Sequence, residues 1–169
     1  NKVISESLNY GRVIVVNDGS TDKTQSISES SGAIVVSHKV NKGYDQSILT
    51  GINKALKMGL KFAITIDADG QHNSKDLSLI LKMLNKDNYD MVIGIRKTPA
   101  RFAEFLFNNY IKLKYDVNDI LCGLKGYKLE KINNINFNKL AENSVGTEIP
   151  LLFLRSDSKV GELPIEINM

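Results

Sequence analysis

The stretch Phe62-Ala63-Ile64-Thr65-Ile66-Asp67-Ala68-Asp69-Gly70-Gln71-His72 decides the fold. Its first five residues form a short, near-continuous apolar run with β-branched side chains. Such a run suits a strand buried on both faces of a parallel sheet. It ends in two carboxylates two residues apart, a spacing that points both the same way from an extended chain. Three further runs share this character: Arg12 to Asn17, Ala33 to Ser37 and Met91 to Ile95. Helical patterns lie between them. Thr21 to Ser31 has Thr21 or Asp22 as its cap. Tyr44 to Met58 gathers Ile48, Ile52, Ala55 and Leu56 on one face and closes on Gly59. Ser74 to Asn85 opens on a Ser cap and places Leu77, Ile80, Leu81 and Leu84 at helical spacing. This alternation predicts an α/β fold, a mostly parallel central sheet flanked by helices.

After Lys97 the rhythm changes. Ala100 to Lys114 reads as a helix started by Pro99. Cys122 to Leu129 is a Gly-containing strand or loop, and Asn133 to Asn138 a turn region. Thr147 to Ser156 reads as helical. Val160 to Ile167 reads as a strand that Pro164 places at an edge. There is no internal repeat and no linker, so residues 1–169 read as one domain.

The composition agrees. The chain has 169 residues, 42% of them apolar and 24% charged, which excludes disordered, collagenous and coiled-coil classes. One cysteine, Cys122, forms no internal disulfide and reads as a small buried thiol in a reducing compartment. A net charge of +3 is too small to argue for nucleic acid. No apolar run approaches the roughly 20 residues of a membrane-spanning helix, and no signal peptide is read. Asn1 stands where an initiating Met would, which reads as a trimmed N-terminus.

In a doubly wound sheet, ligands sit beyond the carboxyl ends of the strands. The first apolar run is followed by Asp18-Gly19-Ser20, the second by His38 and Asn41-Lys42-Gly43, the third by Asp67-Ala68-Asp69-Gly70-Gln71, the fourth by Arg96-Lys97. Two adjacent carboxylates repel unless something positive lies between them. Mg²⁺ or Mn²⁺ fits Asp67 and Asp69, with Gln71 adding a neutral oxygen and substrate phosphates completing the shell. A solvated acidic turn capping a helix is the competing reading, and the place after a strand weighs against it. Asp18 reads as an acceptor for a nucleobase edge, with Gly19 allowing close approach, or as a turn into a capped helix. Lys42 reads as a reach toward a diphosphate or as a solvated loop. His38 and His72 read as loop or packing residues.

The motifs VIVVNDGSTDKT, NKGY, ITIDADGQH, VIGIRK, D-x-x-CGLKGY and VGELPIEI occur in one order. Together they resemble the family 2 inverting glycosyltransferases of the GT-A fold, and within them the branch that charges a polyprenyl (dolichyl or undecaprenyl) phosphate. The resemblance runs from about Asn1 to Ile167. It implies that Asp18 contacts the nucleotide base and that Asp67 and Asp69 form the DXD motif, the first near the ribose and the second on the metal. It places Gln71 beside the metal, Arg96 in the donor site, and Arg101 and Lys125 toward the acceptor phosphate. Asp119 matches the Asp preceding the family's Q-C-G-F-R segment, which makes it, with Asp69, a catalytic candidate. The chain departs from the pattern at Asp45-Gln46-Ser47, at Leu121 and at Lys125, which keeps charge but loses bidentate geometry. The family's first strand has no counterpart in these residues.

The implied reaction is metal-dependent transfer of a sugar from a UDP- or GDP-sugar to a lipid-linked phosphate. It would take place peripherally at the cytoplasmic face of a membrane. An anionic acceptor needs no strong base. A sugar hydroxyl of a surface polysaccharide or lipopolysaccharide, the alternative acceptor, needs one, with Asp119 and Glu148 as candidates. The segment around Phe102, Phe105, Leu106, Phe107, Tyr110, Ile111 and Leu113 is broadly apolar and flanked by Arg101, Lys112 and Lys114. It reads as an interfacial helix or as an ordinary core helix. Haloacid-dehalogenase phosphatases also place Asp-x-Asp-Gly after a strand, but on their first strand and with a later acidic pair that is missing here. A chain that binds nucleotide sugar without turnover is the non-enzyme alternative.

Overall fold

A computed structural model describes residues 2–97, 102–133 and 144–167. In chain order the elements are α1 (Lys2–Ser7), β1 (Ile14–Asp18), α2 (Thr24–Ser30), β2 (Ile34–His38), α3 (Tyr44–Lys57), β3 (Phe62–Thr65) and α4 (Lys75–Asn85). They continue with β4 (Met91–Arg96), α5 (Phe102–Tyr115), β5 (Lys125–Lys128), α6 (Leu129–Ile132), α7 (Val145–Leu154) and β6 (Val160–Ile165). The four apolar runs are β1 to β4, as their composition predicts. α2 starts at Thr24 rather than Thr21, because Asp22 turns the chain by accepting the Thr24 N–H at 2.9 Å.

The strands form two groups. β1 and β2 pair in parallel, with Asp18 opposite His38. The other four lie in the order β3-β5-β4-β6. β4 and β6 are parallel, whereas β5 is antiparallel to both β3 and β4. The four-stranded sheet is therefore mostly parallel in direction, with one reversed strand in its interior. That strand is the Lys125–Lys128 part of the segment left open as strand or loop. Pro164 does sit in an edge strand, β6, where a missing N–H costs least.

Successive residues of β4 serve opposite layers. Met91 and Ile93 join a core built with α3, α5 and α7 (Ile52, Ile111, Ile149, Phe153), and Val92 joins α4 (Leu77, Ile80, Leu84) on the other face. The expected burial on both faces holds for β4 only. β1, β2 and β3 are mostly half-buried. The reason is topological: among the described residues β1 pairs on one side only, and so does β3. α3 packs on both.

Candidate active site

β1 ends in Asp18, whose carboxylate is almost wholly engaged by its own chain. Oδ1 accepts the Lys42 N–H at 2.8 Å and faces His38 Nδ1 at 2.6 Å, and Oδ2 accepts the Gly43 N–H at 2.8 Å. The His38 hydrogen bond, with those from the backbone, holds the Asp18 carboxyl below its ordinary value. Gly19 turns with φ +73°, and a Cβ there would come within 2.6 Å of Asn41 N. Only glycine lets this turn lie directly under the Asn41–Gly43 loop. The side chain of Lys42 stays exposed.

Beyond β3, Asp69 Oδ1 accepts the Gln71 N–H at 2.9 Å, a local turn that leaves the rest of its carboxylate toward solvent. Asp67 faces His72 Nε2 at 3.5 Å, and its carboxyl is held below the usual range chiefly by that histidine. His72 lies in the connection between β3 and α4 and packs inward: its side chain is 4% exposed, and Nδ1 has no partner among the described residues. A Cβ on Gly123 would overlap the Asp67 carboxylate, so this glycine makes room for the metal-site candidate. Thr65 Oγ1 donates to the Gly123 carbonyl at 2.8 Å and fixes that approach. Among the described residues, no three His, Cys, Asp or Glu groups converge as a ready-made cage. Two carboxylates and an amide oxygen with open valences nonetheless suit a hard divalent cation that shares its shell with phosphates. Tyr44, next to Gly43, opens α3. Partial burial and the charge of Asp67 push its phenol up to about 12.

At the end of β4, Arg96 grips Asp119 with two side-chain bonds, Nε to Oδ2 at 2.7 Å and Nη2 to Oδ1 at 2.9 Å. Asp119 also accepts the Arg96 N–H at 3.3 Å and Asn108 Nδ2 at 3.0 Å. Burial pushes this carboxyl up, but the bonds from Arg96 outweigh it and the net displacement is downward. Asp119 is 3% exposed, and both of its oxygens are bonded in this structure. Glu104 Oε2 accepts from Arg96 Nη2 at 3.2 Å, so α5 is tied to this pair through Glu104 and Asn108. Lys125 is 4% exposed, its amine donates to the Cys122 carbonyl, and burial lowers it to about 8. Arg101 lies outside the described residues. Asp45 accepts the Gly146 N–H at 2.7 Å and so joins the start of α3 to the start of α7.

The sequence shows His38 only as a loop or packing residue and gives Asn108, Glu104 and Gly123 no role at the site. The pairing of β1 with β2 brings His38 there, the docking of α5 brings Glu104 and Asn108, and the pairing of β5 with β3 brings Gly123.

Acidic motifs thus collect beyond the strand ends of an α/β sheet, where such folds bind their ligands. Residues 2–148 match the family model Glycosyl transferase family 2, and the chain belongs to that family and is a glycosyltransferase. It is 33% identical over 98% of its length to an uncharacterised protein of Methanocaldococcus jannaschii, of which it spans 76%. It is 26% identical to UDP-N-acetylglucosamine–dolichyl-phosphate N-acetylglucosaminyltransferase of Methanococcus voltae, over 94% of this chain and 75% of the relative. Undecaprenyl-phosphate mannosyltransferase of Micrococcus luteus is 25% identical over 90% of this chain and 70% of its own length. Among solved structures, glucosyl-3-phosphoglycerate synthase of Mycobacterium tuberculosis superposes with a TM-score of 0.76 at 17% identity, over 99% of this chain and 66% of that one. The same synthase has been solved with Mn²⁺ and UDP-glucose. These likenesses establish the GT-A fold.

Proposed function

We propose that this chain transfers a sugar, with inversion, from a UDP- or GDP-sugar to a polyprenyl phosphate at the cytoplasmic face of a membrane. The observation that carries the reading is α5. Leu106, Tyr110 and Leu113 stand one and two turns apart on its outer face, 55%, 56% and 89% exposed. Lys112 and Lys114 flank them, with Lys114 5.9 Å from the Tyr110 ring centroid. An exposed apolar stripe with lysines beside it suits the interface of an anionic bilayer. The opposite face of the same helix is bonded to Arg96 and Asp119 at the sheet edge. No described helix is long and apolar enough to cross a membrane, so docking through α5 would be peripheral.

Asp67 and Asp69, with Gln71, would hold Mg²⁺ or Mn²⁺, which when bound neutralises charge on the departing nucleoside diphosphate. Asp18 and the Asn41–Gly43 loop receive the nucleotide. Arg96, held in orientation by Asp119 and Glu104, stands at the donor side of the sheet edge. An acceptor phosphate is anionic at neutral pH and requires no proton removal, which agrees with Asp119 having no open oxygen.

The test offers UDP- and GDP-sugars with Mn²⁺ to the purified chain, against polyprenyl phosphate in vesicles or a free glycan. Transfer to the lipid phosphate alone, lost in Asp69→Ala, is expected. Transfer to the glycan alone would overturn the reading.

A further inference from the structure

Both ring nitrogens of His38 are engaged. Nδ1 lies 2.6 Å from Asp18 Oδ1 and Nε2 2.9 Å from Thr50 Oγ1. The imidazole side chain is 7% exposed. An ionised carboxylate only accepts, so Nδ1 carries the hydrogen in that bond. The contact joins three elements: Asp18 closes β1, His38 closes β2, and Thr50 lies within α3. Asp18 passes the constraint on, because the backbone N–H groups of Lys42 and Gly43 rest on its two oxygens. Those residues lead directly into α3, and Gly43 is also held by Asn41 Oδ1 at 3.0 Å. Asp18 thus has two tasks, fixing this loop and meeting the donor, and its free rotation would defeat both. The buried imidazole adds a side-chain bond to the two backbone bonds that restrain that rotation.

We infer that His38 is a positioning residue for the nucleotide-sugar donor, fixing the Asp18 carboxylate and through it the Lys42–Gly43 backbone. Thr50 completes the chain by holding the far side of the ring. The inference rests on Asp18 and the Asn41–Gly43 loop receiving the donor. Its effect belongs to donor binding, because its side-chain partners are Asp18 and Thr50.

UDP and GDP binding by calorimetry, donor KM and kcat, and thermal unfolding would be measured for His38→Leu, His38→Asn, Thr50→Val and Asp18→Asn. Loss of a hydrogen bond to a charged group predicts about tenfold or greater weakening in His38→Leu, seen in nucleotide affinity and KM with kcat little changed. His38→Asn keeps an N–H donor near the Nδ1 position and restores most of that affinity. Thr50→Val loses the distal contact and gives a smaller loss in the same direction, readable even where His38→Leu fails to fold. Folded His38→Leu with wild-type nucleotide affinity, while Asp18→Asn is weakened, would overturn the inference alone. Unchanged binding in Asp18→Asn would overturn the donor-site reading beneath it.

Discussion

Asp119 is a carboxylate whose surroundings, rather than its sequence neighbours, set its chemistry. Its side chain is 5% exposed and that of Arg96 17%. Removing one partner of such a buried pair leaves the other uncompensated, at roughly 3–5 kcal/mol. Asp119→Asn should therefore lower the unfolding temperature by about 10 °C. The pH dependence has a definite sign. The folded value lies below the ordinary one, so the ionised carboxylate stabilises the fold at neutral pH. That contribution is lost as pH falls below about 4, through the folded value. Thermal melts of wild type should weaken on acidification there, and Asp119→Asn should show a flatter acid limb. A normal melting temperature combined with a collapsed kcat would instead favour the general-base role. At this scale the sequence disclosed the residues that follow strands directly, Asp18, Asp67 and Asp69. It did not disclose the use of Asp119, since that depends on Arg96, 23 residues away, and on Asn108 in another element.

At the scale of elements, α5 has two faces with different duties. Asn108 and Ile111 are buried, while Leu106, Tyr110 and Leu113 are exposed. Changing Leu106 and Leu113 to Asp removes apolar surface from water-facing positions, so stability should move by less than about 1 kcal/mol. Binding to anionic vesicles should fall severalfold or more in co-sedimentation, and wild-type binding should weaken with added salt. Equal sedimentation of both proteins would make the stripe irrelevant to docking. Apolar spacing disclosed α5 and the four leading strands, because each is long or strongly patterned. β5 stayed ambiguous because Lys125-Gly126-Tyr127-Lys128 has no apolar alternation of its own. Its strand state comes from pairing on both sides with β3 and β4. α1, with six residues, was not read at all.

For the whole molecule, the division into a strand pair and a four-stranded sheet matters most. β4 is nearly all buried, whereas β1 and β2 are mostly half-buried and pair only with each other among the described residues. Native-state hydrogen exchange should therefore find two levels of protection. Amides of β4 and β5 should open only with global unfolding, and those of β1 and β2 at lower free energy. Equal protection throughout would mean one cooperative unit. A single-domain α/β reading came from strand–helix alternation, but the division did not, because pairing partners are not written in any local pattern.

β5 carries one further consequence. Its residues pair with Phe62–Thr65 sixty or more positions earlier and with Met91–Ile93 on its other side. During synthesis, then, β3 and β4 both emerge before the strand that separates them exists. The β3-β5-β4 part of the sheet cannot form until residue 128 has left the ribosome, and the four-stranded sheet is complete only once β6 has followed and paired with β4. Closure of such distant pairs is slow because loop entropy is lost before contacts form. Nascent chains ending between β4 and β5 would expose apolar strand edges and rely on chaperones, and a halt after Lys128 would relieve most of that exposure.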